Sequence, residues 1–185
     1  MSFKSALRAG IFATSASAII ITGAFAAVKM VGGAAMYPTK NIVENAVNSK
    51  VHTTLVAAVK AAGLVPTLES PGPFTVFAPT NAAFSKLPQG TVATLLKPEN
   101  KATLTAVLTY HVVPGRLTAA DLEADVRKGH GKAMLKTVQG SDLTVTQKGH
   151  SLYLTDDKGS MARITIANVM QSNGVIHVIN TVMQP

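Results

Sequence analysis

The chain has 185 residues, a formal net charge of +8 and no cysteine. This length is typical of a single domain, and the absence of cysteine excludes disulfide scaffolds, thiol catalysis and cysteine-ligated zinc. Apolar residues make up 47% of the chain and charged residues only 14%, a balance that argues against intrinsic disorder.

The N-terminal segment has the layout of a secretory signal. Lys4 and Arg8 precede an apolar stretch that contains Ile19–Ile21 and ends in Ala24-Phe25-Ala26, the small-x-small pattern that signal peptidase cleaves. We therefore predict a signal peptide over residues 1–26. The alternative is an uncleaved N-terminal membrane anchor, although the strongly apolar part is only about half of the roughly 20 residues that a bilayer requires.

A linker and two helices are predicted next. Residues 27–40 are expected to form an irregular linker, because their glycine pair and Pro38 disfavour regular structure. The spacing of apolar residues then predicts a helix that starts near Asn41 and a second helix over Thr53–Ala62. Gly63 stands at the C-cap position of the second helix.

Proline and glycine divide the middle of the chain. Pro71-Gly72-Pro73 predicts a turn, and the β-rich segment Phe74–Ala78 predicts a short strand that Pro79 ends. A longer helix is predicted from Glu99 to about Val112. A further single turn is predicted from Thr118 to Leu122, with its first residue as the N-cap.

Further along, the spacing of apolar residues changes from the period of a helix, about 3.6 residues, to the two-residue period of a strand. The apolar pairs in segments 143–145, 152–154 and 164–166 alternate with mostly polar residues, and turns separate them. This pattern predicts an antiparallel meander, followed by a last strand over Val175–Ile179. Because helices dominate the first half and strands the second, the predicted fold class is α+β, in one domain over residues 41–185.

Three sequence boxes resemble the signature motifs of fasciclin domains. The first runs from Thr75 to Phe84, the second is Tyr110-His111-Val112-Val113, and the third extends from Asn173 to Asn180 and is followed by Val182–Pro185. Their order and spacing also agree with the family. The chain is therefore identified as a member of the fasciclin domain family, of a single-domain, exported, bacterial type that is similar to the domains of matrix proteins and secreted mycobacterial antigens.

The resemblance implies a fold and a location. The fold would be a wedge of two antiparallel β-sheets with helices packed at one side, helical in its N-terminal half and β-rich in its C-terminal half. The protein would be secreted, periplasmic or extracellular, and associated with cell adhesion and the extracellular matrix. One departure concerns Asn168-Val169, which stands where matrix relatives carry an Asp-Ile pair proposed to engage integrins. Asn168 has no carboxylate for a bound divalent cation, so this mode of adhesion is not expected.

Most residues of the boxes are expected to be structural. Phe77 and Phe84 supply apolar anchors, Thr80 and Asn81 cap a short helix, and His111 is expected to be a buried core histidine. For His177 the pattern leaves open whether the side chain faces the core or the solvent. The structural set comprises Thr75, Phe77, Pro79, Thr80, Asn81, Phe84, His111, Asn173, Gly174 and His177.

No catalytic, cofactor or metal site is expected. The 5 histidines form no His-x-x-x-His or His-x-His pair, which zinc and copper sites commonly use. A Gly-x-Ser-x-Gly elbow and a phosphate-binding loop are both missing from the sequence. The family is also not generally enzymatic, so we predict that the protein is not an enzyme.

Two candidate contact sites remain. Tyr110 is linked to adhesion in animal relatives, and because helical neighbours point about 100° apart it is expected to be partly exposed beside a buried His111. The second site is a basic cluster in what is expected to be a flexible, glycine-containing loop. Its members are Arg127, Lys128, Lys132 and Lys136.

The basic cluster has two interpretations. It is either a solubilising loop or an electrostatic contact with an anionic surface polymer, a glycan or a lipid headgroup. A surface protein receptor is a further candidate partner, and the oligomeric state stays open. Nucleic acid is not expected as a partner, because export separates the protein from it and stacking aromatic residues are scarce.

These features together predict an exported adhesion protein that acts by binding, in surface or matrix attachment. The alternative is a small-molecule or lipid carrier of the cell envelope with an apolar groove between helices and sheet. Leu55, Val59 and Leu108 would line that groove.

Overall fold

The computed structural model describes residues 28–185. The predicted signal peptide or anchor and its cleavage after Ala26 lie outside the described residues. Within the described part of the chain, no helix combines the length and the apolar character needed to cross a membrane.

Strands and helices alternate only in part. In chain order the strands are β1 (Lys29–Val31), β2 (Ala34–Met36), β3 (Phe74–Pro79), β4 (Val112–Pro114), β5 (Lys132–Lys136), β6 (Asp142–Lys148), β7 (Ser151–Thr155), β8 (Met161–Gln171) and β9 (Gly174–Ile179). The helices are α1 (Ile42–Ala46), α2 (Thr53–Ala62), α3 (Val65–Glu69), α4 (Asn81–Phe84), α5 (Thr91–Leu95), α6 (Lys101–Tyr110) and α7 (Ala119–Lys128). A 3₁₀ turn over Pro98–Asn100 precedes α6.

One mixed sheet organises the fold. Its strand order is β4-β3-β9-β8-β7-β6-β5, and β1 and β2 form a separate hairpin. Strands β3 and β9 pair in parallel, while their other neighbours in the sheet are antiparallel. The α+β class is confirmed, but the expected pair of antiparallel sheets is replaced by this seven-stranded mixed sheet. The helical N-terminal half is also not observed, because β1 to β4 precede Gly115.

Strand β8 bends the sheet. Its first residues pair with β7 and its later residues with β9, and two register shifts lie between Ile164 and Val169. Such irregularities bend a strand and increase its local twist. The two outer strands of the sheet consequently approach each other, and Val138 N, just after β5, donates a hydrogen bond of 2.8 Å to Val112 O of β4.

Two apolar clusters fill the interior, and β3 separates them. Val76 and Ala78 belong to the first cluster, which contains residues of α1, α2, α6 and the β1–β2 hairpin. Phe77 points the other way into the second cluster, which includes Leu122 of α7 and the inner residues of β5 to β8. Strand β3 is therefore buried on both sides, which explains its continuous apolar sequence.

Local signals predicted several helix boundaries correctly. Asn41 caps α1 through a hydrogen bond of 2.9 Å from Glu44 N, and Gly63 ends α2 with a positive φ of 72°. Thr118 caps α7, with Asp121 completing a reciprocal capping box. Helices α3 and α5 were not predicted from the sequence.

Two predicted helix lengths need correction. The helix expected to reach Val112 ends at Tyr110, because the β-branched pair that follows pairs with β3 as β4. The single turn expected at Thr118–Leu122 is a ten-residue helix, α7. It buries Leu122 and Val126, which are four residues apart and lie on one face.

The expected irregular linker is wrong over residues 29–36, which form the β1–β2 hairpin. Gly32 and Gly33 have φ values of 59° and 80°, the left-handed conformation that a tight two-residue hairpin turn requires at both positions. Val31 and Met36 are each 3% exposed and pack into the first apolar cluster. The hairpin is consequently an integral part of the domain.

The two faces of this hairpin should differ in their contribution to stability. We expect Met36→Ala to lower the free energy of unfolding by about 2–5 kcal/mol, because the substitution leaves a cavity in the core. Met30, which is 60% exposed, serves as the matched control, and Met30→Ala should change the free energy by less than about 0.5 kcal/mol. Urea unfolding of both variants measures the difference. Two equally small changes would show that the hairpin is not packed.

Candidate binding surfaces

The first signature box joins three segments of the chain. The Thr75 hydroxyl donates to Gly115 O at 2.7 Å and accepts from Leu117 N at 2.9 Å. The Asn81 side chain accepts from Thr54 N at 3.0 Å and so anchors the start of α2. Phe77 is fully buried, and Phe84 and Pro79 are also buried. Thr80 caps α4 by accepting from Ala83 N at 3.2 Å.

The closing box ties the start of β9 to α1 and to the end of α3. Asn173 Oδ1 accepts from Ile42 N at 3.0 Å, and its Nδ2 donates to Leu68 O at 2.7 Å and to Ser70 O at 2.9 Å. At Gly174 a Cβ atom would lie 2.1 Å from Phe74 O, so the parallel contact with β3 leaves no room for a side chain. Both residues act within the fold and are inaccessible to a partner.

His111 is a buried cap at the end of α6. Its Nδ1 donates to Val107 O at 2.7 Å, and its Nε2 accepts from Met183 N at 3.0 Å, so the neutral ring is fully hydrogen-bonded. Burial lowers the pKa of His111 to about 4, against the opposing influence of the Val107 backbone and Asp156. The ring therefore ties the C-terminal segment to α6.

His177 faces the interior. It stacks on Phe77 with 5.6 Å between ring centroids, and its Nε2 lies 2.8 Å from Leu117 O. Desolvation is the main reason that the pKa of His177 is lowered. Its neighbour Asn168 accepts from Ala119 N at 2.7 Å and Val169 is buried, so this pair is occupied within the fold and not displayed for a receptor.

The expectation that Tyr110 is partly exposed is wrong. Its side chain is fully buried in the second apolar cluster, and its hydroxyl donates to Asp142 O at 2.8 Å. Burial, followed by the charge of Asp157, raises the pKa of Tyr110 to about 12. A partner could reach this residue only after the core had opened.

The basic cluster is not a flexible loop. Arg127 and Lys128 form the last turn of α7, where cations are favoured by the helix dipole, while Lys132 and Lys136 lie on β5. Two of these cations have acidic neighbours, Lys128 at 3.5 Å from Asp125 and Lys136 at 3.2 Å from Asp142. Both pairs are exposed and contribute little to stability.

Strand register extends this cluster across the sheet. Lys132, Thr146, Tyr153 and Arg163 are successive cross-strand partners on β5, β6, β7 and β8. Lys148 is near the same row, with Nζ 5.6 Å from the centroid of the Tyr153 ring. We call the solvent side of β5 to β8 the outer sheet face. Its members are Lys132, Met134, Lys136, Asp142, Thr144, Thr146, Lys148, Ser151, Tyr153, Thr155, Met161 and Arg163.

The outer sheet face is cationic and carries many hydroxyl groups. Asp142 is its one carboxylate, and it is already paired with Lys136. The Thr146 hydroxyl oxygen, in the middle of the cross-strand row, is buried and has no hydrogen-bond partner. The sequence does not identify Lys148, Tyr153 and Arg163 as members of this face, because period-two alternation shows which residues share a face of one strand but not which residues are paired across strands.

A cavity of about 90 Å³ lies between α2 and the sheet. Leu55, Val59 and Leu108, the three residues named for an apolar groove, all line it. Its remaining walls come mainly from the hairpin, α1, α3 and the central strands, and they are almost entirely apolar. The cavity is therefore suited to an apolar ligand.

His52 contributes a polar side chain to this cavity wall. Its Nδ1 is 2.9 Å from the Ser49 hydroxyl, while its buried Nε2 has no hydrogen-bond partner. Burial lowers the pKa of His52, although the backbone of Ala78 acts in the opposite direction. The sequence does not point to this residue, because a histidine just before a helix carries no signal of what its ring will face.

Metal and acid–base chemistry have little support in the described residues. Over residues 28–185, no group of three or more His, Cys, Asp and Glu side chains could hold a metal ion. Asp156 is buried, but its carboxylate accepts from Lys158 N, Ser160 N and Gln184 N and so organises a turn. The binding surfaces above are the stronger candidates for function.

The buried histidines should make the folded state sensitive to acid. In the unfolded chain His111 gains a proton near pH 6.5, whereas in the folded state it stays neutral down to about pH 4. The unfolded state then binds more protons, so stability present above pH 6.5 is lost as the pH falls, by roughly 3 kcal/mol for this residue. Lowered pKa values of His52 and His177 act in the same direction.

Chemical unfolding between pH 4 and 7 measures this loss. In His111→Gln the free energy of unfolding should depend less steeply on pH than in the parent protein. His130, which is exposed, provides the control, and His130→Gln should retain the parental slope. If His111→Gln also retained that slope, the buried ring would not be the source of the acid sensitivity.

Comparison with known proteins places this geometry in a family. The Fasciclin domain family matches residues 50–185. Protein sll1483 of Synechocystis sp. is 46% identical over 157 residues, which are 84% of this chain and 79% of that protein. The cell surface glycolipoprotein MPB83 of Mycobacterium bovis is 32% identical over 195 residues, which span 94% of this chain and 81% of that protein.

A solved structure shows the same fold. The FAS1 domain pair from the insect cell adhesion molecule Fasciclin I superposes with a TM-score of 0.69 at 16% identity, covering 79% of this chain and 51% of that chain. The described chain thus spans about half of that domain pair. The sequence match and the shared fold agree, and the chain belongs to the fasciclin domain family.

Proposed function

We propose that this protein is an exported, non-catalytic attachment module, which binds an acidic surface polymer through the outer sheet face. The observation that carries the proposal is the cross-strand row in which Lys132 and Arg163 flank Thr146 and Tyr153. Export is supported by the N-terminal sequence pattern. Two relatives are named as a cell surface glycolipoprotein and a cell adhesion molecule.

An acidic polysaccharide suits this face better than other anionic partners. Neighbouring strands lie about 4.8 Å apart, so the four-strand row offers an extended track for a repeating polymer. The cations supply charge-assisted hydrogen bonds to carboxylate or sulfate groups, and the threonine hydroxyls match the hydroxyls of a sugar.

Removal of three cations from the face tests the proposal. The variant combines Lys132→Gln, Lys148→Gln and Arg163→Gln, and we expect roughly a hundredfold weaker binding to heparin at low salt, because each contact contributes about 1 kcal/mol. Retention on a heparin column as a function of salt measures the effect. In the parent protein 1 M salt should reproduce the variant, because the Debye length falls from about 10 Å at 0.1 M to about 3 Å.

A variant with the same net charge serves as the control. It combines Lys60→Gln, Lys97→Gln and Lys101→Gln, whose parent residues are exposed on the helical side of the chain. Its retention should fall much less than that of the sheet variant. Equal retention of the two variants would mean that net charge alone, and not the outer sheet face, governs binding.

The cavity favours a second candidate function, the carriage of a small apolar ligand. An engineered protein cavity of about 150 Å³ binds benzene, and ligand sites usually span about 300–1,000 Å³. A cavity of about 90 Å³ therefore suits a small molecule or one end of a longer chain. The unpartnered His52 Nε2 favours a ligand with one neutral hydrogen-bonding group on an apolar body, such as an alkanol.

Alkanols of increasing chain length test this candidate. We expect them to raise the melting temperature of the parent protein, since a ligand at 100 times its Kd stabilises the folded state by about 2.7 kcal/mol. Val59→Phe should fill the cavity and abolish the shift. His52→Phe should weaken binding about fivefold through loss of one hydrogen bond worth about 1 kcal/mol.

A control in the other apolar cluster completes this test. Val126→Leu alters the packing of the second cluster, away from the cavity, and should leave the alkanol-induced shift unchanged. No shift of the parent protein with any alkanol would contradict the carrier function.

A further inference from the structure

The solvent face of the β1–β2 hairpin is apolar. Residues directly opposite in an antiparallel pair point to the same side, and Met30 is opposite Ala35. The strand alternation places Val28 and Tyr37, just beyond the last pair, on this side too. Val28, Met30 and Tyr37 are 48%, 60% and 46% exposed. We call these four residues the hairpin face, and none of them carries a charge.

The opposite side of the hairpin shows that this exposure is not a sign of loose packing. Val31 and Met36 are buried in the first apolar cluster, and the Lys29 ammonium donates to Ala167 O. Tyr37 N is bonded to the buried Asn45 at 3.0 Å. The hairpin face is therefore held rigidly on the body of the domain while its side chains point into the solvent.

The charges around the hairpin face are mostly positive. Lys40 places its Nζ 5.4 Å from the centroid of the Tyr37 ring. Lys50, which is exposed, lies beside the hairpin turn, where its backbone N–H donates to Gly32 O at 3.3 Å. The nearest carboxylate along the chain, Glu44, accepts from Asn41 N at 2.7 Å in the helix cap. An apolar patch with a tyrosine and flanking lysines is complementary to the interface of an anionic bilayer.

The preceding chain leads to the same face. Residues 1–27 lie outside the described structure, and their sequence contains the apolar run Ile19–Ile21 shortly before Val28. If this segment were retained in a membrane, the hairpin face would be the first part of the domain to meet the headgroups. If the segment were removed, the face would still be present at the start of the remaining chain.

We propose that the hairpin face is a membrane-contact surface, which rests in the headgroup region of an anionic lipid bilayer. This surface and its partner are separate from the outer sheet face and the polymer proposed for it. The hairpin packs on the first apolar cluster and β5 to β7 on the second, so the two surfaces belong to different parts of the fold. Either proposal can fail without the other.

A single tryptophan tests the contact, because the chain contains 0 Trp residues. Tyr37→Trp in the full-length protein places a fluorescent reporter on the hairpin face, and Tyr153→Trp places the matched reporter on the outer sheet face. Vesicles of phosphatidylcholine with one quarter phosphatidylglycerol should shift the emission of the first variant to shorter wavelength. Brominated acyl chains should quench that emission, and both effects should be much weaker for the second variant.

Two methionines of similar exposure supply a further comparison. Met30 on the hairpin face is 60% exposed and Met134 on the outer sheet face is 63% exposed. In the Tyr37→Trp background, Met30→Glu should abolish the vesicle-induced shift, whereas Met134→Glu should preserve it. Thermal melting of each variant verifies that it is folded.

Several outcomes would overturn the proposal. The Tyr37→Trp emission could stay unchanged with vesicles, or both reporters could shift equally. Shifts that depend on protein concentration without lipid would identify a second copy of the chain as the occupant instead. An equal emission shift with vesicles of pure phosphatidylcholine would show that binding does not depend on anionic lipid, and so that Lys40 and Lys50 do not contribute to it.

Discussion

Strands β3 and β9 lie side by side in parallel, with Phe74 opposite Gly174 and Pro79 opposite Ile179. This pair is the wall between the two apolar clusters, so its side chains are buried on both sides. Backbone groups in such a position must find their hydrogen bonds within the sheet, because water cannot reach them. The absence of a side chain at Gly174 permits the close approach to Phe74 on which the register depends.

The polar residues of the signature boxes fix this strand pair and its neighbouring segments in place through hydrogen bonds. Asn173 ties the start of β9 to α1 and to the end of α3, and Thr75 ties β3 to the segment before α7. His111 connects the end of α6 to the C-terminal Met183. These groups are buried and have partners, so their loss would leave unpaired backbone groups at a cost of about 1–3 kcal/mol each.

The sequence alone predicts those features of the fold that depend on residues close together in the chain, such as the ends of helices. The helix start near Asn41 and the caps at Gly63 and Thr118 depend on residues within one turn, and the structure has all three. The β1–β2 hairpin was missed because a glycine pair marks either a break or a tight turn, and the choice depends on the burial of Val31 and Met36 elsewhere in the fold. For the same reason the cross-strand row and the place of His52 in the cavity wall could not be predicted, since both depend on tertiary contacts.

The position of β9 also determines when the domain can fold. This strand is the last in the chain, yet it lies between β3 and β8 at the centre of the sheet. The two apolar clusters cannot close until residues Gly174–Ile179 have been synthesised and have reached β3, a contact of long sequence separation that slows folding. Before β9 has reached β3, the strand pair that separates the two apolar clusters is missing, so both clusters depend on this one long-range contact.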